Sequence, residues 1–146
     1  MQSDDLNKGD EIRRLHIDAD TQNIKSVLDF IKSDMQRCGA SQTAQFNMMI
    51  AAEEIFTNIA MYAYENTDGA YADICCKFAD GIYYVTFIDG GKEYNPLLQD
   101  DPDVNMPLKD RKIGGFGVFL AKKMSDELTY RRENRQNILT VGMNIK

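Results

Sequence analysis

Apolar residues recur along this chain with two periods, and the changes of period mark its elements. Ile24, Val27, Leu28, Ile31 and Met35 stand at helical spacing and predict a helix with one buried face. Asp20 is placed to cap its start and Gly39 to close its end. A second helix is predicted from Ser41, as its cap, to about Tyr64. Its stripe is Met48, Met49, Ala52, Ile55, Phe56, Ile59, Tyr62 and Ala63. After a loop at 66–69 the period falls to two. Ala72, Ile74, Cys76 and Phe78 alternate with polar residues, as in a half-buried strand. Asp80-Gly81 is a two-residue hairpin signal, and the near-continuous apolar run at 82–88 predicts a central strand. A third helix is expected from Val118 to about Ser125, followed by a hairpin of 128–133 and 138–145. In its last strand Leu139, Val141, Met143 and Ile145 alternate with Thr140, Gly142 and Asn144. A weaker strand pattern at 11–17 precedes the first helix, and 1–10 reads as a frayed tail.

The order is strand, helix, helix, strand, strand, a long irregular segment, helix, strand, strand. Adjacent hairpins imply an α+β fold: a two-layer sandwich with a mostly antiparallel, mixed sheet and about three helices on one face. One domain over 11–146 is expected. The irregular segment, 92–113, holds Pro96, Pro102 and Pro107 together with four aspartates. Loops of that length inside a compact domain are usually lids or binding loops.

Composition narrows the function. The 146 residues are 43% hydrophobic and 27% charged, which permits a packed core, and the formal charge is −6. An acidic chain is a poor general binder of nucleic acid, whose phosphates call for clustered Lys and Arg. No apolar run approaches the ~20 residues that span a bilayer, and the acidic first residues do not resemble a signal peptide. Cys38, Cys75 and Cys76 lack the spacing of a disulfide framework or a zinc site. A cytoplasmic location is the expectation.

Four features carry candidate chemistry. Glu54 and Asn58 lie one helical turn apart. An amide carbonyl is a hard oxygen ligand suited to magnesium shared with phosphates, and a carboxylate beside it can take a proton. On its own the pair also reads as a solvated polar strip. Asp89 and Gly91 end an apolar strand. The carboxylate can accept a hydrogen bond from an amino group such as that of adenine, and glycine permits close backbone approach; the pair equally reads as a turn. Gly114, Gly115 and Gly117 open the third helix, where free amides and the positive helix end favour phosphate. Lys109, Arg111 and Lys112 precede them and can meet phosphate charge, or form a solvated basic run. The common P-loop, dinucleotide and eukaryotic kinase signatures are missing.

In this order the features resemble the ATPase superfamily of gyrase, heat-shock chaperones, histidine kinases and mismatch-repair proteins. Within it they resemble the bacterial anti-sigma factor serine/threonine kinases. EEIFTNIAMYAY is similar to that family's N box, FIDGGKEYNP to its first glycine box, IGGFGVFLAKKMSDELTY to its second, and NILTV to its last strand. The likeness runs from about Glu11 onward. Glu93 stands where family members often have a second glycine. The resemblance implies ATP and Mg2+ as cofactors, Glu54 as general base and Asn58 as magnesium ligand. It places Asp89 on the adenine amino group with Gly91 beside it. Lys112, Gly114, Gly115, Phe116, Gly117 and Thr140 join the nucleotide contacts. It implies a kinase that phosphorylates an anti-anti-sigma protein, sequesters a sigma factor and forms a homodimer. A nucleotide-dependent binding regulator without phosphotransfer, and a slow ATPase, are the competing readings. His16, the only histidine, reads as structural.

Overall fold

The computed structural model describes residues 11–98 and 116–146. The expected tail at 1–10, and all of the expected lid beyond Leu98, lie outside the described residues. Strand β1 (Arg13–Asp18) leads through a short turn into helix α1 (Ile24–Arg37) and then helix α2 (Gln42–Asn58). Strands β2 (Tyr71–Ala79) and β3 (Ile82–Asp89) follow, then helix α3 (Phe116–Met124) and strands β4 (Glu127–Glu133) and β5 (Gln136–Asn144). The five strands form one sheet in the order β1-β2-β3-β5-β4. All four ladders are antiparallel, so the expected mixed character has no counterpart among the described strands. β3 lies in the middle, as its apolar run predicts.

Local chemistry explains the boundaries. Asp20 accepts from the Gln22 amide at 2.9 Å, although it caps the turn Thr21–Asn23 rather than α1 itself. Ser41 Oγ accepts from the Ala44 amide at 3.1 Å and starts α2. Gly39 follows α1 at φ +82°, the left-handed conformation that closes helices. Asp80 and Gly81, at φ +53° and +81°, make the tight turn of the β2–β3 hairpin.

The core lies between the helices and one face of the sheet. Val27, Ile31 and Met35 of α1 and Met48, Ala52, Ile55 and Phe56 of α2 meet Ile74, Val85, Phe87 and Val141 of the sheet. Adjacent strand residues face opposite ways: Cys76 is buried while Cys75 is half-buried. Burial pushes the Cys76 thiol up to about 12, which leaves it protonated and unreactive.

Asp34 is a polar residue in this apolar layer, 4% exposed. Its Oδ2 accepts from the fully buried Tyr83 hydroxyl at 2.6 Å. Its Oδ1 takes Arg37 Nε at 2.9 Å and Arg13 Nε at 3.1 Å. Burial, then the nearby Cys76, pushes the Tyr83 phenol far up, so it remains a donor. One carboxylate thus joins β1, α1 and β3. Asp34→Ala leaves the Tyr83 hydroxyl without its acceptor, whereas the half-exposed Arg13 can rehydrate. The expected loss is at the low end for a broken buried pair, about 3 kcal/mol. In a chain of this size that is a fall in melting temperature of roughly 10 °C, checked by thermal denaturation.

Candidate functional site

The end of α2 builds one wall of a cavity. From Asn58 the helix widens into a π-helical turn, Ile59–Ala63, a form often found at functional sites. The widening splits the expected stripe. Ile59 and Ala63 remain buried, but Tyr62 turns out to 56% exposure and lines the cavity instead. The turn and Tyr64 after it are tied by hydrogen bonds to the exit of β3 and the start of β2. Lys92 N donates to Ala63 O at 2.8 Å. The Tyr64 hydroxyl takes the Gly90 amide at 2.7 Å and donates to Tyr71 O at 2.6 Å.

The cavity holds about 280 Å³ and lies between α2, α3, β3 and the β4–β5 hairpin, near the lower limit for small-ligand pockets. Ile55, Ile59, Phe87, Val118 and Leu139 give it apolar walls, and Tyr62, Tyr94 and Tyr130 add aromatic ones. Its polar lining includes Asn58, Asp89, Lys92 and Asn137.

Asp89 is 4% exposed. The Gly91 amide donates to its Oδ1 at 2.9 Å and Asn137 Nδ2 to the same oxygen at 3.0 Å. Asp89 lines the cavity, and its Oδ2 takes part in neither of these bonds, so it can accept from a ligand. Burial pushes the Asp89 carboxyl up, opposed by the Asn137 and Gly91 hydrogen bonds and the Arg132 charge. A buried carboxylate with one oxygen fixed and one open selects an N–H donor, and the apolar walls suit a flat ring.

The other sequence candidates divide. Asn58 reaches the cavity. Glu54 lies one turn away and is not part of the lining. Its charge still adds to burial in pushing up the phenol of Tyr94, which does line the cavity. Gly91 is buried because its α-carbon sits against Ala63, where any side chain would collide with the Ala63 carbonyl and methyl. The close approach it permits is to the π-helical turn that follows α2. Gly117, expected among the phosphate contacts, packs in the same way. A Cβ there would overlap the Glu54 side chain and come within 2.9 Å of Ile50 O, so this glycine lets α3 cross α2. Thr140, also expected on the nucleotide, is on the other face of the sheet, its hydroxyl 3.0 Å from that of Thr86. Strand alternation requires this, since Leu139 and Val141 beside it face the core. Phe116 opens α3. Lys109, Arg111, Lys112, Gly114 and Gly115 lie outside the described residues. Glu93 is exposed.

Asn137 is the site residue that motif reading missed. It pairs with Asp89 across β3 and β5 and is 6% exposed. The signal was available: two residues before Leu139, it falls on the core face, and a polar side chain there needs partners.

The comparisons with known proteins agree with this fold. The family model described as "Histidine kinase-like ATPase domain" matches residues 17–143. The chain is 25% identical over 101 residues to the serine/threonine-protein kinase BtrW of Bordetella bronchiseptica, covering 69% of this chain and 71% of that one. In fold it is similar to the crystal structure of the RsbU and RsbW domains of Rv1364c from Mycobacterium tuberculosis. That match has a TM-score of 0.63 and 15% identity, and covers 91% of this chain. The chain spans about a third, 32%, of the length of that solved chain.

Proposed function

The chain belongs to the histidine kinase-like ATPase domain family, and from that premise we propose that it is an ATP- and magnesium-dependent serine/threonine protein kinase acting as an anti-sigma factor. In this reading it phosphorylates an anti-anti-sigma protein and sequesters a sigma factor, as a cytoplasmic homodimer. Nucleotide binding is what the family itself implies. The observation that carries the reading is the buried Asp89, with one oxygen open to a cavity that Asn58 shares. The residues fit the group. Asp89 Oδ2 accepts from the adenine amino group, and the apolar walls hold the ring. Asn58 offers one hard oxygen, and magnesium takes the rest of its ligands from phosphate and water. When bound, MgATP supplies the phosphoryl group and the charge that neutralises it in transfer. Glu54, one turn before Asn58 on α2, takes the proton of the acceptor hydroxyl. The likeness to a relative named as a serine/threonine-protein kinase supports the reaction class.

One observation favours a second reading, a nucleotide-dependent binding regulator without phosphotransfer: Glu54 is not part of the cavity lining, and its methylenes pack over Gly117.

Calorimetric titration with ATP, with and without magnesium, tests the site, and transfer of labelled γ-phosphate to a serine of a partner tests the reaction. Asn58→Ala is expected to weaken binding about tenfold in magnesium, the scale of one lost contact to a charged group, and to change little without it. An unaltered magnesium dependence would remove Asn58 as the ligand.

A further inference from the structure

Asn137 uses every polar atom of its side chain within the protein. Nδ2 donates to Asp89 Oδ1 at 3.0 Å and to Lys92 O at 2.8 Å. Oδ1 accepts from the Tyr130 hydroxyl at 2.6 Å and from the Tyr94 amide at 3.2 Å. From the same hairpin Arg132 Nη1 donates to Gly91 O at 2.8 Å. The backbone leaving β3 is therefore gripped at residues 91, 92 and 94 from β4 and β5. The amide that fixes the carboxylate also fixes the path of the chain out of the pocket.

We infer that Asn137 is a positioning residue that couples ligand recognition by Asp89 to the placement of segment 91–98. Its donor amide holds Asp89 in the one orientation that leaves Oδ2 open. The inference rests on Asp89 being the group that recognises the nucleotide. Asn137 itself has no hydrogen-bonding capacity left for a ligand, so its effect passes through Asp89 and the backbone of Lys92 and Tyr94.

Asn137→Asp makes the coupling visible. The substitution keeps shape and keeps an acceptor for Tyr130 and Tyr94, but puts a second carboxylate against Asp89 Oδ1. Two carboxylates at that separation do not both ionise readily, and the pair retains one proton. While that proton sits on residue 137, the hydrogen bond to Asp89 is restored; once it leaves, the two groups repel. Arg132, Tyr130, Tyr64, Lys92 and Tyr94 surround the pair and are common to both proteins.

The experiment is ATP affinity by calorimetry across pH for the wild-type chain and Asn137→Asp, with thermal melts confirming that both are folded. Wild-type affinity is expected to fall as acid protonates Asp89. The variant is expected to bind roughly tenfold more weakly than wild type at about pH 8 and to recover most of that at about pH 5, the reverse slope. A variant whose pH profile parallels the wild type would overturn the inference and leave the site intact. A wild-type chain that binds no ATP would overturn both. If Asn137→Asp does not fold, Tyr130→Phe makes the test, because it removes the shorter of the two hydrogen bonds that Asn137 Oδ1 accepts and keeps the ring that lines the cavity. A loss of about fivefold is expected, and unchanged affinity overturns the inference.

Discussion

Replacing Asp89 with asparagine is expected to weaken ATP binding by roughly a hundredfold or more while raising the melting temperature at neutral pH. The two effects have one cause. Oδ1 of the new side chain still accepts from Gly91 and Asn137, so Nδ2 takes the place of the open oxygen and a donor faces the donor of the base. A site built for one polar partner rejects its opposite strongly, because buried groups are left unpaired. Stability moves the other way. Burial raises the Asp89 carboxyl in the folded protein. A raised carboxyl gives its stabilising contribution at acid pH and loses it as pH climbs through the folded value. At neutral pH the ionised group therefore burdens the fold, and the neutral amide removes that burden. Melting curves of the two proteins should converge in acid and separate towards neutrality. Unchanged ATP affinity in the variant would end the case for Asp89 as the recognition group.

Glu54→Gln is expected to lower phosphotransfer by about 10²–10⁴-fold, the range for loss of a positioned general base, with ATP affinity held within about twofold. Glutamine keeps the methylenes that pack over Gly117, so the crossing of α2 and α3 survives. Single-turnover transfer of labelled phosphate measures the first quantity and calorimetry the second. Full transfer by Glu54→Gln would remove Glu54 as the base. No transfer by the wild-type chain to any serine-bearing partner, with ATP bound normally, would favour the regulator without phosphotransfer.

The fold was legible wherever the signal is local. Ser41, Gly39 and Asp80-Gly81 act through backbone groups within a few residues of themselves, and each does what its chemistry predicts. The alternation of Leu139, Val141 and Met143 gave the buried face of β5 correctly. That same alternation already placed Thr140 on the opposite face; the family likeness of NILTV hid it, because a motif aligns residues without stating which way each one points. Tyr62 went astray because a π-helical turn changes the helical period, which no spacing rule anticipates. Asn137, Asp34 and the tight packing of Gly117 depend on partners distant along the chain. Asp89 and Asn137 meet only through the β3–β5 register, and nothing near either residue encodes that pairing. Polar residues at core-facing positions were the available clue, and Asp34, one turn after Ile31 and beside Met35, belongs to the same class.

The strand order has a kinetic consequence. The β2–β3 and β4–β5 hairpins each close through two-residue turns and can form within microseconds. The β3–β5 ladder joins them across the whole intervening stretch, and its loop-closure entropy must be met before any contact rewards it. Asp89 and Asn137 lie at one end of that ladder, so the proposed recognition group is assembled in a long-range pairing, which with the β1–β2 ladder is far less local than the hairpins. A refolding chain can hold both finished hairpins and still lack a nucleotide site, and a nucleotide can stabilise only chains that have already joined the two halves.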